Sequence, residues 1–556
     1  MKKYGSWILL IAMVCLWGGI YDFTVAIYGI CFAAGLFMVM KSKQNILIAG
    51  NYSTIAMVLL TIGFAVSMIS ARDKGVAFIG LVRILVFFLF WIFWSNLNSE
   101  TREKFWSRLT DLVAVLTVGA FVAYVIPGVR NYLFRAGRLG GVLQYSNTYA
   151  ILLLILLIGL FYRKQNPERS VPKWPSYVEA GIFIAGILWC GSRSVFVLLV
   201  FALLILLVRK RKQLQWKWIL VLCICIVAAA CVLVFAWNYD ISRLAKLTAS
   251  SSTLNGRFLY WRDALVQLVH HPAGMGYMGY YFMQPQFQTG NYTIKYVHND
   301  ILQFGLDGGW IALAGILLLF FGNIFNGKNT EKNRLILIFL LLHVLFDFDL
   351  QYGLLFCMLL MCTDTTGKKE WKLKTPVGYG ISSAGLAVGA YFAIALGSSF
   401  AGNQQLATAM YPGNTFAWEE QMNENQDAEA AQKIIQRNGM LASAYECQAV
   451  SQISSGDYEK AAASVAEMLK RAGYESDYYN QAVYELSYCL QLTVEADDME
   501  QAQKILTQIQ SVPELIEEKA EQATIFAWRI NDSPKIELEE SILQYIENIK
   551  DITLYE

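Results

Sequence analysis

Three of the chain's four histidines lie between residues 255 and 310, together with two arginines and several glycines, and no other stretch crowds so much chemistry together. In order it holds Asn255-Gly256-Arg257, Tyr260-Trp261-Arg262-Asp263, the turn-rich His270-His271-Pro272-Ala273-Gly274-Met275-Gly276-Tyr277, and Val297-His298-Asn299-Asp300 leading into an apolar run. Guanidinium forks suit phosphate oxygens, which they grip in a bidentate manner. These residue types in a polar loop between hydrophobic helices read as an anion-binding pocket at a membrane face.

Hydrophobic segments must position that loop. The 556 residues are 56% hydrophobic and 14% aromatic, mean hydropathy is +0.40, and apolar runs reach the ~20 residues that cross a bilayer. A soluble protein is excluded. Spans are expected near 6–20, 22–40, 53–70, 76–95, 109–126, 145–162, 177–191, 194–208, 218–237, 300–325, 335–349, 350–363 and 377–397. The segment 335–363 reads either as one tilted span or as a hairpin, giving about 12–13 spans in all. The hairpin is expected because Asp347 and Asp349 fall at its middle, and two carboxylates are less costly at the outer water interface than in hydrocarbon. The fold class is therefore all-α, a polytopic membrane helical bundle followed by a soluble α-helical repeat domain.

Charge divides the chain. Residues 1–397 carry 35 Lys+Arg against 16 Asp+Glu, whereas 398–556 carry 10 against 27. This predicts a transmembrane catalytic domain (1–397, with a large outer loop at 238–299) and an extracytoplasmic helical-hairpin domain (398–556). Alternate loops hold 23 basic residues on one side and 11 on the other, which places the N-terminus in the cytoplasm and, with an odd number of spans, the acidic tail outside. Most of the ten cysteines sit in apolar spans as small hydrophobes. Without a metal-type Cys/His spacing, neither zinc nor a disulfide framework is indicated.

Basic residues in the outer loops carry information because topology alone would not put them there. Arg138 opens Arg138-Leu139-Gly140-Gly141, followed by Ser146-Asn147; Arg193 sits in the tight turn Gly191-Ser192-Arg193-Ser194; Lys74 occupies another outer turn; Arg257 and Arg262 lie in the long loop. Folded together, these loops would surround one site with positive charge. Blander readings stand beside this one. Arg130, Arg135 and Arg243 fit a lipid-phosphate role as well as a site role. His298 also fits an interfacial helix start capped by Asn299 or Asp300. His343 fits a proton partner and a packing residue equally well.

The ordered set Arg-Leu-Gly-Gly with Ser-Asn, Gly-Ser-Arg-Ser, Gly-Arg, Trp-Arg-Asp-Ala, Pro-x-Gly-x-Gly, Val-His-Asn-Asp and His343-Val-Leu-Phe-Asp347-Phe resembles the bacterial O-antigen ligase and polymerase superfamily over residues 130–365. The resemblance implies a membrane glycosyltransferase of the GT-C type with an undecaprenyl-diphosphate-linked glycan as donor and a hydroxyl of a glycan, lipid or protein as acceptor. It implies catalytic roles for His298, Arg193, and Arg257 or Arg262. Substrate-binding roles fall on Arg138, Asn147 and Lys74. Asn299 and Asp300 are the residues placed to orient the histidine. Chemistry agrees: a departing diphosphate develops negative charge, which arginines can stabilise in place of a metal, and His298 either takes the proton of the acceptor hydroxyl or, as imidazolium, steadies the diphosphate. No cofactor, metal or nucleic acid is expected.

In the tail, Asp457-Tyr458-Glu459-Lys460-Ala461 and Asp498-Met499-Glu500-Gln501-Ala502 recur between helix-length segments, reading as tetratricopeptide-like hairpins with Cys447 and Cys489 on corresponding first helices. Similar helical-repeat extensions mark the protein O-oligosaccharyltransferase branch. The acidic surface suits a cationic protein partner, and a structural cap fits equally. Outside the enzyme class, a polysaccharide transporter or flippase and a non-catalytic assembly protein are the alternatives. A transporter should repeat its halves and place charges at mid-membrane, where Arg83 stands almost alone.

Overall fold

The computed structural model describes residues 5–43, 45–163, 174–210, 252–367, 369–531 and 536–554. The membrane part is built from α1 (Gly5–Cys15), α2 (Asp22–Lys43), α3 (Tyr52–Ser70), α4 (Lys74–Ser95), α5 (Ser99–Ala123), α6 (Pro127–Leu133), α7 (Ser146–Phe161), α8 (Trp174–Cys190), α9 (Arg193–Lys210), α10 (Ser252–His270), α11 (Gly279–Phe287), α12 (Asp300–Ile324), α13 (Glu331–Val344), α14 (Gly353–Met361) and α15 (Thr375–Phe400). Two small antiparallel pairs join them: β1 (Ile46–Ala49) with β4 (Glu370–Leu373), and β2 (Phe134–Arg135) with β3 (Arg138–Leu139). The chain is an all-α polytopic membrane bundle. Among the described residues, α2, α3, α4, α5, α12 and α15 are long and apolar enough to cross a membrane, whereas α1, α7, α8 and α9 are shorter apolar helices. Each expected span falls on a helix except 218–237, which lies outside the described residues.

Helix starts follow the sequence's own caps. Asn51, Asp73, Asn98 and Asn299 each accept the amide three residues on, at 3.0, 2.9, 2.8 and 3.1 Å, satisfying a donor the helix leaves orphaned. Close packing follows small residues: Gly308, Gly315 and Gly322 line one stripe of α12 against α3, where a Cβ on Gly315 would meet Ala56 O at 3.0 Å. Gly309 breaks α12 with a left-handed φ of 70°. The turn after α10 fills that break, as Trp310 N donates to Pro272 O (3.0 Å) and Met275 N to Leu306 O (2.7 Å).

Hydrogen bonds sort the helix ends onto two faces. At one, Asn96 meets Leu47, Arg163 meets Asp111 and Glu179, Asn51 meets Asp364, and Asn329 Nδ2 meets Cys362 O at 3.0 Å. That last contact ties the start of α13 to the end of α14, so 331–361 is a hairpin, as expected. Its turn is not at the water interface. Asp347 and Asp349 are 1% and 0% exposed, and α14, with 9 residues, rises only ~13 Å against the ~30 Å of a hydrocarbon core. Arg83, nine residues into α4, donates to Gln351 O at 2.9 Å, which puts this turn ~13 Å below the head of α4. The carboxylates sit in a recess, stabilised by partners rather than by bulk water. Arg83 is itself paired with Asp22 at 2.6 Å.

Beyond Phe400 come α16 (Gln404–Met410), α17 (Thr415–Asn425), α18 (Ala428–Arg437), α19 (Ala442–Ser454), α20 (Tyr458–Leu469), α21 (Ser476–Glu495), α22 (Met499–Glu521), α23 (Ile525–Asn531) and α24 (Glu540–Ile549). Asp457 and Asp498 cap α20 and α22, and Cys447 and Cys489 are buried free thiols on α19 and α21. Asp427-Ala428-Glu429-Ala430-Ala431 opens α18 in the same way, with Asp427 accepting from Glu429 N and Ala430 N. This third copy of the Asp-x-Glu-x-Ala pattern escapes a reading based on one fixed period, since it lies closer to its neighbour. These helices rest on the recessed face: Asp73 binds Thr415 (2.5 Å) and Asn438 (3.0 Å), and Thr524 N donates to Thr289 O at 3.0 Å. Burial pushes the Asp73 carboxyl above its ordinary pKa against the pull of these donors.

Candidate active site

Four separate segments converge on Asp347. The α13–α14 turn carries it; α10 brings Arg257; the residue before the α12 cap brings His298; and the β2–β3 hairpin with the head of α7 brings Arg138, Tyr145 and Asn147. Arg257 Nη2 lies 3.2 Å from Asp347 Oδ2, and His298 Nδ1 lies 3.2 Å from Oδ1. Asn147 Nδ2 donates to Oδ2 at 2.7 Å and the Tyr145 hydroxyl to Oδ1 at 3.0 Å. Arg138 then holds Asn147 Oδ1 at 2.7 Å with Nη2, while its Nε donates to Cys190 O at 2.8 Å.

Local backbone explains these placements. Ala136 and Gly137 both have positive φ (48° and 73°), the pattern of a tight hairpin turn between strands, and this presents Arg138 toward α7 and α8. Gly191, at φ 61°, turns the chain directly from α8 into α9 and leaves half-buried Arg193 at the head of α9. His298 itself adopts φ 51°, an uncommon state for a residue with a side chain, of the sort that functional sites hold under strain. Its carbonyl accepts from Trp261 Nε1 at 3.2 Å. Tyr260 and Phe348 flank the imidazole, with ring centroids 6.1 and 4.9 Å away.

The chemistry follows from that geometry. A carboxylate buried between a guanidinium and an imidazole is held ionised. By accepting at Nδ1, Asp347 fixes the tautomer that leaves Nε2 free to take a proton. Arg257 keeps a half-buried guanidinium (15% exposed) at the edge of the same recess, where an anion would meet it.

The expected residues divide accordingly. His298, Arg257, Arg138 and Asn147 are brought together, and Arg193 stands at the head of α9. Arg262 is not part of the cluster: it is 44% exposed and pairs with Asp263 at 2.9 Å, which in turn anchors Thr289 and Tyr292. Lys74 is exposed beside Asp73 at the head of α4. Neither Asn299 nor Asp300 orients the histidine. Asn299 caps α12, and Asp300 accepts from Leu350 N (2.7 Å) and Gln351 Nε2 (2.9 Å), pinning the turn that carries Asp347. The orienting carboxylate is Asp347, 49 residues on from His298; two acids inside an otherwise apolar stretch were the signal for it. Tyr145 was missed although it adjoins Ser146-Asn147, because a tyrosine ahead of an apolar helix reads as an interfacial ring.

Residues 180–317 match the family model described as O-antigen ligase. No curated protein and no solved structure matches the chain. The matched segment contains Arg193, Arg257 and His298, while Asp347, Asn147 and Arg138 reach the site from outside it. On that match, this membrane protein is similar over residues 180–317, about a quarter of its length, to the O-antigen ligase family.

Proposed function

We propose that the protein transfers or polymerises glycan from an undecaprenyl-diphosphate-linked donor at the outer face of the bacterial cytoplasmic membrane. The observation that carries this reading is the His298–Asp347–Arg257 constellation, in which a buried carboxylate holds a partly exposed imidazole and a partly exposed guanidinium side by side. His298 removes the acceptor hydroxyl proton, Asp347 orients it, and Arg257 with Arg193 stabilises the departing diphosphate. Arg138 and Asn147 hold Asp347 in register. A recess in the bundle suits a lipid-linked substrate, whose polyprenyl chain stays in the bilayer while its diphosphate reaches the arginines. Positive charge for the leaving group comes from guanidinium groups, so the reaction needs no metal. The acidic helices beyond Phe400 rest on the site face, where an acceptor or a cationic partner would approach.

The test is transfer by the purified full-length protein from an undecaprenyl-diphosphate-linked oligosaccharide, with EDTA present. Undiminished turnover is expected, and turnover lost in EDTA but restored by a divalent cation would overturn the metal-free reading. Topology makes a second prediction. Reporter fusions at Lys210 and after Asn403 are expected to read cytoplasmic and extracytoplasmic, in keeping with the 23 to 11 division of basic residues. A cytoplasmic reading after Asn403 would put the recess on the wrong side for this donor.

A further inference from the structure

Asp347 and Asp349 share one turn, and each has its own histidine. His343, in the last turn of α13, has Nδ1 2.5 Å from Asp349 Oδ2. Nε2 of the same ring lies 3.1 Å from Ser194 Oγ, and Ser194 Oγ lies 3.2 Å from Ser192 Oγ. The second oxygen of Asp349 accepts from Thr148 Oγ1 at 2.8 Å. His343 and Asp349 have side chains 0% exposed, whereas Ser194 is half-buried, next to Arg193 at the head of α9. A Ser–His–Asp chain thus runs from the helix head that bears Arg193 into the bundle, and the reaction proposed above uses none of it.

A buried carboxylate needs a countercharge. His343 supplies one as imidazolium, donating from Nδ1 to Asp349 and from Nε2 to Ser194 Oγ. The serine, accepting from the ring, then has its own proton to give to Ser192 or to an anion beside Arg193. The charged groups whose fields reach His343 are Asp349, Asp347 and Arg257, with Arg193 adjacent to Ser194. The two histidines differ in setting: His298 is 24% exposed in the recess, while His343 is sealed behind Ser194. One is placed to meet an acceptor directly, the other to act through a hydroxyl.

We infer that Ser194, His343 and Asp349 form a general-acid relay that protonates the departing diphosphate, opposite in duty to the His298–Asp347 base; this rests on the glycan-transfer reading above. The acceptor hydroxyl gives its proton to His298 Nε2, and its oxygen bonds to the anomeric carbon. The anomeric carbon–phosphate oxygen bond breaks with its electron pair on the phosphate oxygen. That oxygen takes the Ser194 proton, and His343 Nε2–H reprotonates Ser194. His298 ends protonated and His343 neutral. One proton lost to water and one gained from it restore both, with no other reactant.

The pH dependence of turnover tests the relay. The full-length protein in nanodiscs would be given an undecaprenyl-diphosphate-linked oligosaccharide extracted from the native strain, with native envelope extract as acceptor, and released undecaprenyl diphosphate measured. Wild-type turnover should fall at alkaline pH, where His343 gives up the proton it relays. Ser194→Ala and His343→Asn should lower kcat ~100-fold with KM little changed, the scale of one general acid, and should lose that alkaline limb. Ser194→Thr, which keeps the hydroxyl, should restore both rate and limb. An alkaline limb that persists in Ser194→Ala, or a Ser194→Thr protein as inactive as Ser194→Ala, would overturn the relay. The base assignment fails separately, if His298→Ala still turns over with its alkaline limb intact.

Discussion

His298→Ala is expected to lower glycan transfer by at least ~100-fold while leaving the protein folded in the membrane, because positioned proton transfer contributes on that scale. The imidazole is 24% exposed and contributes a hydrogen bond to Asp347 and ring contacts to Tyr260 and Phe348, so its loss removes chemistry more than packing. Asp347→Asn should approach the same loss by a different route. An amide there no longer enforces the tautomer that frees Nε2, and Arg257 loses its counterion, yet the ring remains. His270→Ala and His271→Ala should be tolerated: among the described residues the His271 ring bonds within its own turn, Nδ1 to Gln267 O at 3.0 Å. Near-normal turnover by His298→Ala would remove the residue on which the proposed mechanism most depends.

The second large effect separates two arginines that lie five residues apart. Arg257→Lys is expected to cost ~2–4 kcal/mol of transition-state stabilisation, the scale of one preorganised donor, or roughly 30- to 1,000-fold in kcat/KM. A lysine keeps the charge but loses the planar fork that can hold Asp347 and a phosphate oxygen together. Arg262→Lys should fall within assay error, because that side chain is exposed and paired with Asp263 on the far side of α10 from the recess. Arg193→Lys should resemble Arg257→Lys. The measurement is kcat/KM on the lipid-linked donor for the three variants. If Arg262→Lys proved as damaging as Arg257→Lys, the arrangement of α10 around the site would be wrong.

Much about this protein was decided locally and is therefore readable in its residues. Apolar run lengths determine that it is a helical membrane bundle, because an unsatisfied backbone in hydrocarbon leaves no other choice for such segments. Asn and Asp before apolar runs mark helix starts, as Asn51, Asp73, Asn98 and Asn299 do. The pairing of Asp347 and Asp349 predicts a hairpin within 335–363, since two acids resist lying in mid-helix within a span. His298 and Arg193 declare themselves by type and by motif order, and Arg257 does so only jointly with Arg262.

What the residues alone could not decide is which of them meet. Arg257 and Arg262 look alike in the chain, but helical spacing points them in different directions, and only the packing of α10 says which faces the recess. Asn299 and Asp300 adjoin His298 in sequence, yet α12 uses both for its own start and for the α13–α14 turn, while Asp347 arrives from 49 residues away. The carboxylates were expected at a water surface because pairing cannot be inferred before the partners are placed; tertiary structure put them in a buried turn with arginine, histidine, asparagine and tyrosine around them. The Ser194–His343–Asp349 chain is the extreme case, joining α9, α13 and the turn after it. Its three residues carry no shared motif, and their function follows only from the distances at which the bundle holds them.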